Sequence, residues 1–194
     1  MNDFITMNAL VDFALSCGTG RVIAARNAQD TPPIFYAPVL ATIAHMHQNG
    51  LDAAVLDDLL TSLVDPREKR IFPKVVTSYK KFLRSGRMTW FEPPLRDWPL
   101  GPLTVRVAPD LGLLIDGRPH AIKLHFGGAP IEPQRAMFFN HLLGAALGPT
   151  WPGAVFAVLD VRRAQLIAYR PKRELKVLLR AEAGCLSALI GGLS

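Results

Sequence analysis

Lys123 stands between Ile122 and Leu124 in a stretch that alternates in character, and an ammonium group inside such a strand is costly if buried without a partner. Either it faces water on the open side of a sheet, or it holds an anion. Because side chains alternate across a strand, Ala121 and His125 share its face, and the His125 imidazole adds a nitrogen that many metals accept. Thirteen residues upstream, Asp110 sits in Pro109-Asp110-Leu111-Gly112, which also reads as an ordinary turn sequence. A third feature is a basic stretch. Between Asp65 and Arg87, eight lysines and arginines face only Asp65 and Glu68, a surplus equal to the +6 of the whole chain. Lys80, Lys81 and Arg84 lie there among Tyr79, Phe82 and Trp90, a mixture of cations and rings that suits nucleic-acid backbones and bases. The competing account is a helix made lysine-rich for solubility, with its rings turned into a core.

Taken together, APDLGLLIDGRPHAIKLHF (residues 108–126), followed by a helix and more strands, resembles the core of the PD-(D/E)XK nuclease superfamily. There Pro-Asp opens the second strand and a (D/E)-x-K triplet lies in the third; Pro109-Asp110 and Lys123 match these elements over a resemblance covering about Leu103 to Tyr169. It implies a restriction-endonuclease-like fold and phosphodiester hydrolysis with Mg²⁺ or Mn²⁺. Asp110 would ligate the metal, which activates a water and neutralises charge on the phosphate, and Lys123 would orient that water or stabilise the transition state. The triplet's acid is Ala121 here, and a methyl group cannot coordinate a metal. A relocated ligand would come from Glu132 or Gln134 at the start of the next helix, or from Asp160 at the end of the fourth strand. The implied site is thus Asp110, Lys123 and Gln134 for catalysis, Asp110 and Glu132 for metal, and Lys80, Lys81 and Arg84 for nucleic acid.

Other signals are weaker. His45 and His47 are two apart on a helix and point away from each other, unlike a zinc-binding pair at i and i+4. Gly18-Thr19-Gly20-Arg21 and Gly127-Gly128 lack the context of a nucleotide loop and read as turns, and there is no G-x-S-x-G. Cys17 and Cys185, within apolar helical patterns and without partners at metal-ligand spacing, read as buried reduced thiols.

The elements that must position these groups fall into two halves. Residues 1–90 predict four helices: one capped by Thr6 and running to Ser16 before Gly18; one from about Tyr36 to Gln48, after the turn Asp30-Thr31-Pro32-Pro33; a short one from Asp52 to Leu63; and one opened by Asp65-Pro66, which Pro73 should kink or split. Residues 91–102, with four prolines, predict a linker held down by Trp90, Phe91 and Trp98. Residues 103–194 predict βββαββα. Leu103–Ala108, Leu111–Ile115 and Pro119–Phe126 form a meander turning at Asp116-Gly117, followed by a helix from Glu132 to Leu147, strands Ala154–Asp160 and Ala164–Tyr169, and a helix Arg173–Leu189. The fold class is therefore α+β or α/β, a helical region followed by the α/β core, as two units or as one compact unit.

At 194 residues and 49% hydrophobic the chain can bury a core, and no apolar run approaches the ~20 residues of a membrane span. The expectation is a cytoplasmic, unprocessed protein that binds DNA or RNA through a degenerate or relocated metal-dependent nuclease site. The alternative is a catalytically inactive subunit or adaptor in a bacterial assembly, docking on a partner or a second copy through the apolar C-terminal segment Leu186–Leu193.

Overall fold

The computed structural model describes residues 4–28, 35–168 and 173–193, and the expected Asp30–Pro33 turn lies outside these. A short strand β1 (Ile5–Thr6) leads into α1 (Met7–Leu15), where the Thr6 hydroxyl accepts the Ala9 N–H at 3.1 Å as the expected N-cap. Helices α2 (Thr19–Asn27), α3 (Ala37–Gln48), α4 (Val55–Ser62) and α5 (Pro66–Leu83) follow. The glycine-flanked segment at 18–21 is therefore not merely a turn: Gly18, at φ 51°, takes the left-handed backbone and Thr19 opens α2. At α5 the Asp65 carboxylate accepts the Arg67 N–H at 2.6 Å, as its sequence predicts. Pro73 does not split that helix, because the Phe72, Val75, Val76, Tyr79 and Phe82 side chains that anchor it are buried in a core that outweighs one lost backbone bond.

The eight strands among the described residues include β2 (Met88–Trp90), β3 (Arg96–Leu100), β4 (Leu103–Val107), β5 (Leu111–Ile115) and β6 (Arg118–His125); after α6 (Pro133–Leu147) come β7 (Val155–Asp160), a 3-10 turn at Val161–Arg163, β8 (Gln165–Ala168) and α7 (Arg173–Leu193). A five-stranded sheet has the order β2-β5-β6-β7-β8, in which only β6 and β7 run parallel. The β5–β6 hairpin turns through Asp116 and Gly117, both at positive φ, as expected.

The expected meander needs correction. Leu103–Val107 does not pair with β5; it is the centre of a separate sheet ordered β1-β4-β3. Only Ala108-Pro109-Asp110 separates β4 from β5, and a residue before proline favours extended backbone, so the chain passes from one sheet to the other instead of reversing. The vacant edge beside β5 is taken by β2, with Phe91 donating its N–H to the Gly112 carbonyl at 3.0 Å. A Cβ at Gly112 would lie 2.4 Å from the Phe91 oxygen, so glycine is what lets the two segments close. The proline-rich stretch itself holds β3, an edge strand whose Pro99 needs no ladder donor on its open side.

The five-stranded sheet separates two cores. On one side α1, α2, α6 and α7 pack with Val105, Val107 and Val158; on the other α3, α4 and α5 pack with Leu111, Leu113, Ile122, Leu124 and Leu159. Consecutive residues Val158 and Leu159 enter opposite cores, as the period of a strand requires. No helix among the described residues is long and apolar enough to cross a membrane. Cys17 and Cys185 are exposed, not buried: Cys17 precedes α2, and Cys185 lies on the outer side of α7, whose Leu179, Ala183 and Leu186 face the core.

Candidate functional site

Asp110 and Lys123 meet. The register that pairs Leu111 with Ile122 places Asp110 one step beyond the strand, where its N–H donates to the Ile122 carbonyl at 2.8 Å and its side chain reaches Lys123. The Lys123 Nζ lies 2.6 Å from Asp110 Oδ1, and Asp110 Oδ2 accepts the Leu124 N–H at 2.7 Å. Both side chains are largely shielded, 14% and 13% exposed, so the pair answers the cost that a lone buried lysine would incur.

The pair lines a cleft of about 270 Å³ at the carboxyl ends of the parallel strands β6 and β7, the position where open α/β sheets leave a crevice. Asn8 and Asp12 enter it from α1, Tyr36 from the entry to α3, His125 from the end of β6 and Arg135 from α6. Arg135 is hydrogen-bonded to Asp12 across these elements. Two cations and two carboxylates thus neutralise each other pairwise around one opening. Asp12, Asn8, Tyr36 and Arg135 escaped the sequence reading. The spacing of Asn8 and Asp12, four apart on one helix face, is the only local trace of their common role.

His125 is half-buried with Nε2 3.4 Å from the Ala129 carbonyl oxygen, and its pKa is lowered, mainly by burial. Gly127 leaves room for its ring. Asp160, in register with His125, is 1% exposed and already used: its carboxylate accepts the Ile131 N–H at 3.1 Å and Arg163 Nη1 at 3.3 Å, tying the loop before α6 to β7. Glu132, the residue that opens α6, and Gln134 in its first turn are exposed, and neither lines the cleft. Ala121 is fully buried in the sheet between Gly112 and Phe156.

A divalent cation does not fit the residues present. Both Asp110 oxygens are engaged, Ala121 offers no donor, and among the described residues no three His, Cys, Asp or Glu side chains gather as a ligand group. No protein-family model matches the chain, and no curated protein sequence matches it.

Of the basic residues singled out in the sequence, Lys80 bonds Asp57 of α4 at 2.5 Å, whereas Lys81 and Arg84 are exposed and form no ion pair among the described residues. The difference follows from helix geometry, since Lys80 lies beside the buried Tyr79 on the flank that meets α4.

A wider cleft of about 480 Å³ lies between the end of α3, the end of α5 and β2, lined in part by His47, Asp52 and Trp90. There His47 Nε2 is 2.6 Å from the hydroxyl of the buried Tyr79. Burial raises the Tyr79 pKa above the ordinary phenol value and pushes His47 down to about 4. The imidazole is therefore neutral at pH 7. Since its pKa is about 6.5 in the unfolded chain, the unfolded state takes up the proton first, and the stability contributed by neutral His47 is lost as pH falls from about 6.5 towards 4. Allowing for solvent at this partly exposed ring, the expected loss is about 1–2 kcal/mol. Urea unfolding of the wild type and of His47→Gln at pH 7 and pH 4.5 measures it; equal acid sensitivity in the two proteins would refute the assignment.

Proposed function

We propose that the chain binds nucleic acid at the Asp110–Lys123 cleft, using a restriction-endonuclease-like core whose metal-dependent nuclease site is degenerate. The observation that carries this reading is the shielded ion pair between Asp110, at the start of β5, and Lys123, on β6, at the mouth of a cleft. The order of elements supports it too: a hairpin β5–β6 carrying the two residues, a crossover helix α6, a parallel strand β7 and an antiparallel edge strand β8. The substitution at Ala121 and the occupied oxygens of Asp110 favour binding over hydrolysis. Lys81 and Arg84 supply backbone contacts, for which Lys80 is not available.

The test is fluorescence anisotropy with labelled single-stranded DNA, RNA and duplex DNA in EDTA, for the wild type and Lys123→Ala. Phosphate neutralisation releases counterions, so affinity must fall steeply between about 50 and 200 mM salt. Lys123→Ala, which leaves Asp110 as a bare negative charge in the cleft, is expected to bind at least tenfold more weakly. Absent or salt-independent binding defeats the proposal.

Exposed apolar side chains favour a second reading, a protein-interaction subunit. Val177 is 69% exposed on α7, with Leu178 and Leu193 also open on that helix. Light scattering over a range of concentrations distinguishes self-association through this helix from a monomer.

A further inference from the structure

The exposed face of α5 carries an ordered row of charge. Arg70, Lys74, Thr77, Lys81 and Arg84 follow one another at offsets of four, three, four and three residues, so they fall on a single line along the helix, with Arg67 flanking its first turn. All six are exposed, and the five cations form no salt bridge among the described residues. From Arg67 to Arg84 the row spans roughly 25 Å at the rise of an α-helix. The buried face of the same helix holds Phe72, Val75, Val76, Tyr79 and Phe82, so the row is fixed on a rigid element.

One end of this row is joined to the cleft through two rings. The Arg67 guanidinium lies 4.5 Å over the Phe35 ring, Phe35 meets Tyr36 edge-on at 4.9 Å, and Tyr36 lines the cleft while stacking on Phe126 at 4.9 Å. A planar cation and a phenol thus stand where the row meets the opening. Such groups grip bases only when those bases are unpaired. A cleft of about 270 Å³ has room for one nucleotide and not for a duplex.

We propose, resting on the nucleic-acid reading above, that α5 is the track of a single strand: its phosphates lie along Arg67, Arg70, Lys74, Lys81 and Arg84, and one end of it is led past Tyr36 to Asp110 and Lys123. The row is cationic at every position but Thr77 and presents no base-reading pair of carboxamides, so recognition is of the backbone and indifferent to sequence.

The probes are 5′-labelled oligo(dT) and oligo(U) of 2 to 16 nucleotides and a 24-base-pair duplex, tested in EDTA against the wild type, Lys74→Gln/Lys81→Gln and Lys123→Ala. Thermal unfolding checks that each variant is folded. Expected results are an affinity that rises with length to about 7 nucleotides, enough for the row and the cleft, and then levels off, at least tenfold preference for single strands over the duplex, about tenfold weaker binding by the double variant, and a salt slope reduced by about 1.4 for two lost phosphate contacts. If Lys123→Ala weakens binding while the double variant does not, the track is wrong and the cleft reading stands. A duplex bound as well as or better than oligo(dT) also overturns the track. No binding of any probe overturns both.

Discussion

Asp110→Asn is expected to bind a labelled oligo(dT) more tightly than the wild type in EDTA, by about fivefold. The change removes one negative charge from the cleft and leaves the Lys123 ammonium, now held at 2.6 Å by Asp110 Oδ1, able to take a phosphate oxygen instead. One charge about 4 Å from a phosphate accounts for about 1 kcal/mol even at the dielectric of bulk water, so that fivefold is the smallest effect the geometry allows. The same substitution should cost about 1–3 kcal/mol of folding stability, because a lysine only 14% exposed loses its counter-charge. Anisotropy and urea unfolding read the two effects separately, and their opposite signs are the diagnostic. A metal-ligating Asp110 would behave otherwise: Asp110→Asn would then abolish Mn²⁺-dependent cleavage by the wild type, and that result would end the reading of the site as degenerate.

Ala121→Glu would recreate the acid-x-lysine triplet in the sequence and is expected to destroy the fold's stability rather than restore a metal site. The Ala121 side chain is completely buried, with Gly112 and Phe156 as its neighbours on the adjoining strands. A carboxylate there needs volume that the packed sheet lacks, and Lys123, the cation on its face, is already paired with Asp110, so the loss should be about 3–5 kcal/mol. Thermal unfolding together with Mn²⁺ titration decides the matter. A variant as stable as the wild type that also gains Mn²⁺ binding would mean that the site is one substitution from a working nuclease.

Local signals were read correctly where the cause was local. Thr6 and Asp65 announced α1 and α5 because an N-cap acts within three residues, and Asp116-Gly117 announced the hairpin because both positions need positive φ. Helix α2 was hidden because Gly18 and Gly20 look like a turn, and its helicity depends on packing against α1 and α7, with Arg21 bound to Glu182 across 161 residues. Assigning β4 to the wrong sheet has the same origin: alternation marks a strand but does not name its neighbour, and β2, only three residues long, left too faint a pattern to compete. Cys185 misled because an apolar pattern on a helix fixes which face is buried only to within a residue or two, and Cys17 because it lies in the link between α1 and α2, where no helix face shelters it. In the cleft, Asp110 and Lys123 were legible because thirteen residues across a hairpin set their register. Asp12 and Arg135 were not, because nothing in the sequence joins residues 123 apart until the fold does.

The way α1 is housed also bears on how the chain is assembled. Strand β1 lies parallel to β4, with Ile5 beside Val105, and α1 completes its burial against α6 and α7, which lie far along the chain. During synthesis Leu10, Val11 and Phe13 can therefore be only partly covered, by α2, until β4, α6 and α7 emerge, although α3, α4 and α5 can gather on their own side as soon as they appear. Closure of α1 on α7 is a contact of very high sequence separation, which slows folding and lengthens the interval in which an apolar helix is open to the wrong neighbour. Helix α1 is thus written well before β4, α6 and α7, which complete its shelter.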